Sequence, residues 1–185
     1  RAWAAAGATR GTRYLASMAQ PMSAGENVFT YGSLMYEAVW TRVVRGQYAS
    51  VRARLAGFRR LAIRDESYPA VVPDAQADVL GRLWFGVSPD DVERLDRFEG
   101  SEYRRQAVSV AVLPAHNDPI GRTLGGRPAE PQGPVSAYCY LWLDPARLLA
   151  QPWDETAFER EHLAGFAERH GPRDPGCVGL ARGTP

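Results

Sequence analysis

Two short stretches carry residues whose types and order could do chemistry. The first is Tyr31-Gly32-Ser33-Leu34, which follows the apolar run Val28-Phe29-Thr30. A glycine and a serine just past a strand can turn successive backbone N–H groups towards one point. That makes a concavity suited to a carboxylate or a developing oxyanion. Such turns are common, and the glycine pattern of a dinucleotide or P-loop site is absent. The second stretch ends in Glu99. Around a helix at about 100° per residue, with Val92 at zero, Leu95 falls near 300°, Phe98 near 240° and Glu99 near 340°. Glu93, Arg94 and Arg97 form the polar face. Glu99 therefore sits on the apolar stripe and at the helix C-terminus. Both places disfavour a carboxylate, because burial penalises the charged form and the helix dipole sets negative charge near negative charge. Spacing alone leaves two readings open. Glu99 is ion-paired with an arginine such as Arg104 or Arg105, or it holds a raised pKa suited to proton transfer.

Other reactive side chains fit less well. Ser33 as a nucleophile lacks both a G-x-S-x-G context and a triad order. His162 lies on the Phe158/Phe166 side of its helix and reads as a packing or surface histidine. Asp96, at the edge of the apolar arc, reads as a solvated or arginine-paired acid. His116, His162 and His170 stand at no ligand spacing from one another or from Cys139 and Cys177, so no metal site is expected.

Composition narrows the classes. The 185 residues are 45% hydrophobic, enough for one core without staples. Net charge is +1 and no long basic run occurs, so there is no electrostatic case for nucleic acid or an anionic membrane. No apolar stretch approaches the roughly 18 residues of a membrane span. All 22 basic residues are arginine, which excludes a lysine Schiff base or P-loop lysine. Two cysteines without a CxxC argue against a disulfide framework, and a reducing, cytoplasmic setting is the expectation.

The elements that must position Glu99 and the loop follow from pattern. Residues 1–25 show no trusted period and read as an extension, or as a start set upstream of Met18 or Met22; a transit peptide shares that composition. Val28–Tyr31 has strand composition, Leu34–Val44 is a short helix or irregular crossover, and Tyr48–Ile63 is one or two strands. Tyr68–Pro73 is a short extended piece, and Val79–Val87 a strand covered on both faces. Ser88-Pro89-Asp90-Asp91 offers an N-cap, a proline at N1 and a capping-box acid, and Gly100 offers the C′ stop. Arg105–Leu113 and Val135–Leu143 alternate as strands, separated by a Pro/Gly-rich segment, residues 114–134, expected to be mobile. Asp154 caps a last helix ending near His170, and residues 171–185 read as a tail. The predicted architecture is mixed α/β: one domain over residues 26–170, a small barrel-like mixed β-sheet with flanking helices.

The two stretches together carry a resemblance. Val28-Phe29-Thr30-Tyr31-Gly32-Ser33-Leu34-Met35 resembles the hydrophobic-Tyr-Gly-Ser-Leu signature of the gamma-glutamylcyclotransferase-like family. Leu95-Asp96-Arg97-Phe98-Glu99-Gly100-Ser101-Glu102-Tyr103-Arg104-Arg105 resembles its Leu-Asp-x-x-Glu-Gly-x-x-Tyr-x-Arg segment. Tyr68-Pro69-Ala70-Val71 and Gly81-Arg82-Leu83-Trp84 are similar to its intermediate strands. The likeness spans about Asn27 to Trp142 and is nearest to the avirulence-induced-gene-like branch. It implies a barrel-like mixed sheet with a cavity at the Tyr-Gly-Ser-Leu loop. Tyr31, Gly32, Ser33 and Leu34 would bind the α-carboxylate and glutamyl end of a small-molecule γ-glutamyl substrate. Glu99 would be the general acid/base, and Tyr103 and Tyr140 cavity walls. The implied reaction closes the glutamyl group into 5-oxoproline and releases an amine, with no metal or cofactor, in a monomer or homodimer. The competing classes are a binding module without turnover, and a transferase or lyase acting on another acylated amine.

Overall fold

Strand alternation builds a closed sheet. The computed structural model describes residues 25–114 and 133–169. β1 (Glu26–Thr30) turns Phe29 into one apolar cluster and Val28 into another, both fully buried, as the two-residue period of a strand requires. β1 pairs antiparallel with β3 (Pro69–Val87) and parallel with β5 (Val135–Trp142), where Val28 faces Tyr138. β4 (Tyr103–Val112) runs antiparallel to β5, and β2 (Ser50–Ile63) pairs antiparallel with both β4 and β3. The order β3-β1-β5-β4-β2 thus returns to β3, a five-stranded barrel with one parallel pair. Phe29, Leu55, Val79, Leu83, Cys139 and Leu141 belong to its interior cluster. The expected barrel-like mixed sheet is the observed fold.

Helices cover one side of the barrel. α1 (Glu37–Val43), α2 (Pro89–Glu99) and α4 (Leu163–Arg169) close over a second cluster, to which the sheet contributes Val28, Trp84, Val87 and Tyr140; the short α3 (Glu155–Ala157) adds no side chain to it. A π-helical turn (Phe158–His162) joins α3 to α4, and Asp154 caps α3 by accepting the Ala157 N–H at 2.9 Å.

Several expectations need correction. The expected pieces Tyr68–Pro73 and Val79–Val87 are not separate: from Pro69 onward both belong to one 19-residue strand, β3, against a 14-residue β2, with Tyr68 just before it. Pro73 is tolerated there because it lies opposite Phe58, beside a bulge between Ala56 and Phe58. β3 is covered on both faces at Leu83 and Trp84 but not at Leu80, which is 47% exposed. A sixth strand, β6 (Leu148–Pro152), went unforeseen; it is short, proline-ended and attached to the outer edge of β2. The expected extension (residues 1–25), the Pro/Gly-rich segment (residues 114–134) and the tail (residues 171–185) lie, apart from their edges, outside the described residues.

α2 forms where its signals place it, with one change. The Ser88 hydroxyl accepts the Asp91 N–H at 3.4 Å, Pro89 opens the first turn, and Gly100 at φ 68° closes the helix in a conformation that favours glycine. The capping box is only half made. The Asp91 carboxylate turns away from Ser88 and accepts the N–H groups of Arg45 and Gly46 at 2.9 and 2.8 Å and the Tyr48 hydroxyl at 2.7 Å. Asp91 is 3% exposed. Burial pushes its carboxyl up, but the bonds from Tyr48, Arg45 and Gly46 and the Arg94 charge pull harder, so its pKa lies below the usual value. A depressed acid stabilises the fold above its unfolded pKa and loses that contribution as pH falls through the folded value. Asp91→Ala should therefore cost about 1–3 kcal/mol at pH 7, by removing the buried acceptor shared by three part-buried donors. Urea melts should show that difference shrinking below about pH 4.

Candidate active site

The Tyr31–Leu34 loop is held from three sides. The Tyr31 hydroxyl donates to the Tyr140 carbonyl at 2.5 Å, and the Arg60 guanidinium donates to the Tyr31 carbonyl at 2.7 Å. Gly32 then presses against Pro69: a Cβ at position 32 would stand 2.8 Å from both Cγ and Cδ of that ring, so no other residue fits without moving the strand. Past Gly32 the chain enters a single 3-10 turn (Ser33–Met35) that no side chain caps. Its closing bonds are Met35 N–H to the Gly32 carbonyl at 2.9 Å and Tyr36 N–H to the Ser33 carbonyl at 3.2 Å. The Ser33 and Leu34 N–H groups begin the turn and have no acceptor among the described residues, as the first donors of any helical turn lack one within it.

Glu99 is the last residue of α2, and a 3-10 turn (Gly100–Glu102) leads from it into β4 at Tyr103. The two readings left open by spacing are now separable. Arg105 bonds Glu26 and reaches Asp96 through Nε at 3.2 Å, while Arg104 donates to Gln106 at 3.3 Å. Glu99 has neither an ion pair nor a hydrogen bond among the described residues. It is half-buried, and burial first, with the Asp96 charge second, pushes its carboxyl up to about 8.

The surrounding phenols are otherwise engaged. Tyr103 donates to the Pro69 carbonyl at 2.9 Å, Tyr140 to Asp96 at 2.6 Å, and Tyr31 to Tyr140 as above. Burial holds all three above the usual tyrosine value, so they stay neutral, and none of them donates to Glu99. The Glu99 carboxyl is left to whatever enters.

A cavity of about 130 Å³ opens between these groups. Tyr31, Gly32, Ser33, Leu34, Glu99, Tyr103 and Tyr140 all line it, so every expected site residue is brought to one place. Phe98, Phe166, Tyr68 and Glu102 line it too and were not foreseen. Phe98 and Phe166 read as ordinary core on their helices, with no local signal to separate wall from core. Glu102, three residues past Glu99 in the same segment, was within reach of the motif. It accepts Arg147 at 2.6 Å, and Arg147 in turn holds Glu66 at 2.5 Å. His162 is exposed, with its ring 6.4 Å from Phe158, and is not a wall. Among the described residues no group of three or more His, Cys, Asp or Glu could hold a metal ion.

The sequence profile of the family described as gamma-glutamyl cyclotransferase, AIG2-like, matches residues 28–157. The chain belongs to that family. AIG2-like protein D of Arabidopsis thaliana is 29% identical over 143 residues, 76% of this chain and 83% of the relative. Protein AIG2 C of the same plant is 33% identical over 144 residues, 77% of each chain. The solution structure of At5g39720.1 from Arabidopsis thaliana superposes with a TM-score of 0.53 at 28% identity, covering 78% of this chain and 87% of that one. The matched span of this AIG2-like chain runs from β1 into α3 and contains the loop, Glu99, Tyr103 and Tyr140. Family and fold support a gamma-glutamyl cyclotransferase-like function on a small-molecule substrate. No helix among the described residues is long and apolar enough to cross a membrane.

Proposed function

We propose that this chain closes a γ-glutamyl compound into 5-oxoproline and releases the amine, with Glu99 as the proton carrier. One observation carries the reading: an acid without an ion pair, with its carboxyl pushed up to about 8, shares a cavity with the Tyr31–Leu34 loop. The loop N–H groups hold the α-carboxylate and glutamyl end. The α-nitrogen attacks the γ-carbonyl carbon of the same molecule. The new C–N bond closes a five-membered lactam, and the bond to the departing nitrogen breaks. Two protons leave the attacking nitrogen and two arrive on the departing one, which leaves as an ammonium ion; one carboxyl can carry each in turn. Because both reacting groups belong to one molecule, holding it folded replaces much of the entropic barrier. Phe98, Phe166 and Tyr68 keep the space around the carboxyl poor in water, which sustains its raised pKa.

The test is a panel of γ-glutamyl amino acids and γ-glutamyl amines, with 5-oxoproline measured directly. Turnover of at least one, with amine and 5-oxoproline released one to one, is expected. A panel that binds without product would sink the reading in favour of a binding module.

The pH profile tests Glu99 in particular. Accepting a proton requires the carboxylate, so kcat/KM should rise with unit slope to a plateau above about pH 8. Asp96 is the second cause of that value, so Asp96→Asn should move the rising limb to lower pH. A limb that stays in place in Asp96→Asn would assign it to another group.

A further inference from the structure

Among the described residues that line the Glu99 cavity, Phe166 alone lies outside the family-matched span, residues 28–157. It stands on α4, past the π-helical turn, and shares one apolar cluster with Phe158 of that turn. Its ring lies 6.3 Å from both Tyr68 and Phe98, at interplanar angles of 66° and 73°. Tyr68 comes from the end of the β2–β3 turn and Phe98 from the last turn of α2, so three elements bring three rings to one wall. A further aromatic ring joins such a set by the same edge-to-face geometry.

Charge at this wall points the same way. In the proposed reaction the loop N–H groups and Glu99 take up the glutamyl end. The other charged group lining the cavity is Glu102, and it is already answered: Arg147 reaches it at 2.6 Å while stacking over the Trp142 ring at 5.6 Å. No arginine or histidine lines the cavity among the described residues. A leaving group with a carboxylate of its own would shed water there without gaining a counter-charge. One with an ammonium would have to compete with Arg147 for Glu102. An uncharged apolar leaving group meets neither cost and gains contact with the three rings.

Resting on that reading of the cavity, we propose that Phe166 determines specificity for the leaving group and selects the γ-glutamyl derivative of an uncharged aromatic amine. Binding is measured by calorimetry on the full chain carrying Glu99→Gln, so that turnover does not interfere. γ-Glutamyl benzylamide should bind about tenfold or more tightly than γ-glutamyl methylamide. The carboxylate-bearing γ-glutamylglycine and the ammonium-bearing γ-glutamyl-(2-aminoethyl)amide should both bind more weakly than the benzylamide. Adding Phe166→Ala should erase the benzyl preference while leaving methylamide affinity nearly unchanged, a change of ratio that simple loosening of the fold does not produce. Phe166→Leu, which refills most of the volume, should fall between the two. Equal affinity for benzylamide and methylamide, tighter binding of either charged compound, or a benzyl preference that survives in both Phe166 variants would each overturn the proposal. Release of 5-oxoproline by the wild-type chain is read separately. Release from benzylamide and methylamide at equal kcat/KM sinks the specificity alone. A benzyl preference in binding with no 5-oxoproline formed sinks the turnover alone.

Discussion

Glu99→Gln should release 5-oxoproline about 10²- to 10⁴-fold more slowly than wild type, the range lost when a positioned general acid/base is removed. Glutamine keeps the shape and the neutral charge of the protonated acid, so the cavity is preserved and only proton transfer is removed. The same substitution should make the protein more stable, and the sign follows from linkage. The native Glu99 carboxyl is pushed up to about 8, well above the value of an unfolded glutamate. Between those two pH values the folded chain holds a proton that the unfolded chain releases, so folding loses stability as pH rises through the window. The residue is half-buried, so the full shift overstates the cost, which is on the order of 2 kcal/mol at pH 8. Thermal melts should therefore show the two proteins matched near pH 4 and the glutamine variant higher at pH 8. A variant that keeps wild-type turnover removes Glu99 from the mechanism. A variant that melts lower at every pH makes Glu99 a structural acceptor instead.

Phe158→Ala should lower stability by about 3–5 kcal/mol, the cost of emptying a fully buried aromatic site. Phe158 is 1% exposed, and its ring lies 5.3 Å from Trp153 and 5.6 Å from both Tyr36 and Phe166. It thus ties the π-helical turn to Tyr36 at the start of α1 and to Trp153 just past β6, and packs against Phe166 of α4. The consequence reaches the cavity through Phe166, whose ring packs edge-on against Phe98 and Tyr68, both of them walls. Loosening that wall leaves Glu99 and the loop unchanged in kind, so KM should rise more than kcat falls. Urea melts measure the first effect and steady-state kinetics the second. Phe158→Leu, which refills most of the volume, should recover most of both. A stability loss below about 1 kcal/mol would show that the site collapses around the gap and that Phe158 is not what holds α4.

The features that were legible in the chain are those whose causes lie within a few residues. α2 begins and ends at Ser88, Pro89 and Gly100 because caps act over one turn. Strand faces follow a two-residue period, so Val28 and Phe29 could be assigned opposite sides before any partner was known. The Tyr31–Leu34 turn and the placement of Glu99 on the apolar stripe of α2 are local in the same sense. Strand limits were less legible: β2 and β3 are long because each is the other's partner, and pairing carries the chain past Pro73, where the local signal says stop.

The state of Glu99 could not be read that way. Whether a buried acid is neutralised depends on which arginine comes within about 4 Å, and Arg105 had three acids to choose from. It bonds Glu26, 79 positions earlier in the chain, and Asp96, and leaves Glu99 without an ion pair. Asp91 shows the same competition with a different outcome: local pattern assigns it to Ser88, but Arg45, Gly46 and Tyr48 arrive from the connection between α1 and β2 with three donors. Chain order and residue type thus establish that an acid and a Tyr-Gly-Ser-Leu turn exist and which surfaces they occupy. Closure of the barrel brings the two into one cavity, and it withholds a counter-charge from the acid, because charge pairing is settled by three-dimensional proximity among competing partners rather than by spacing along the chain.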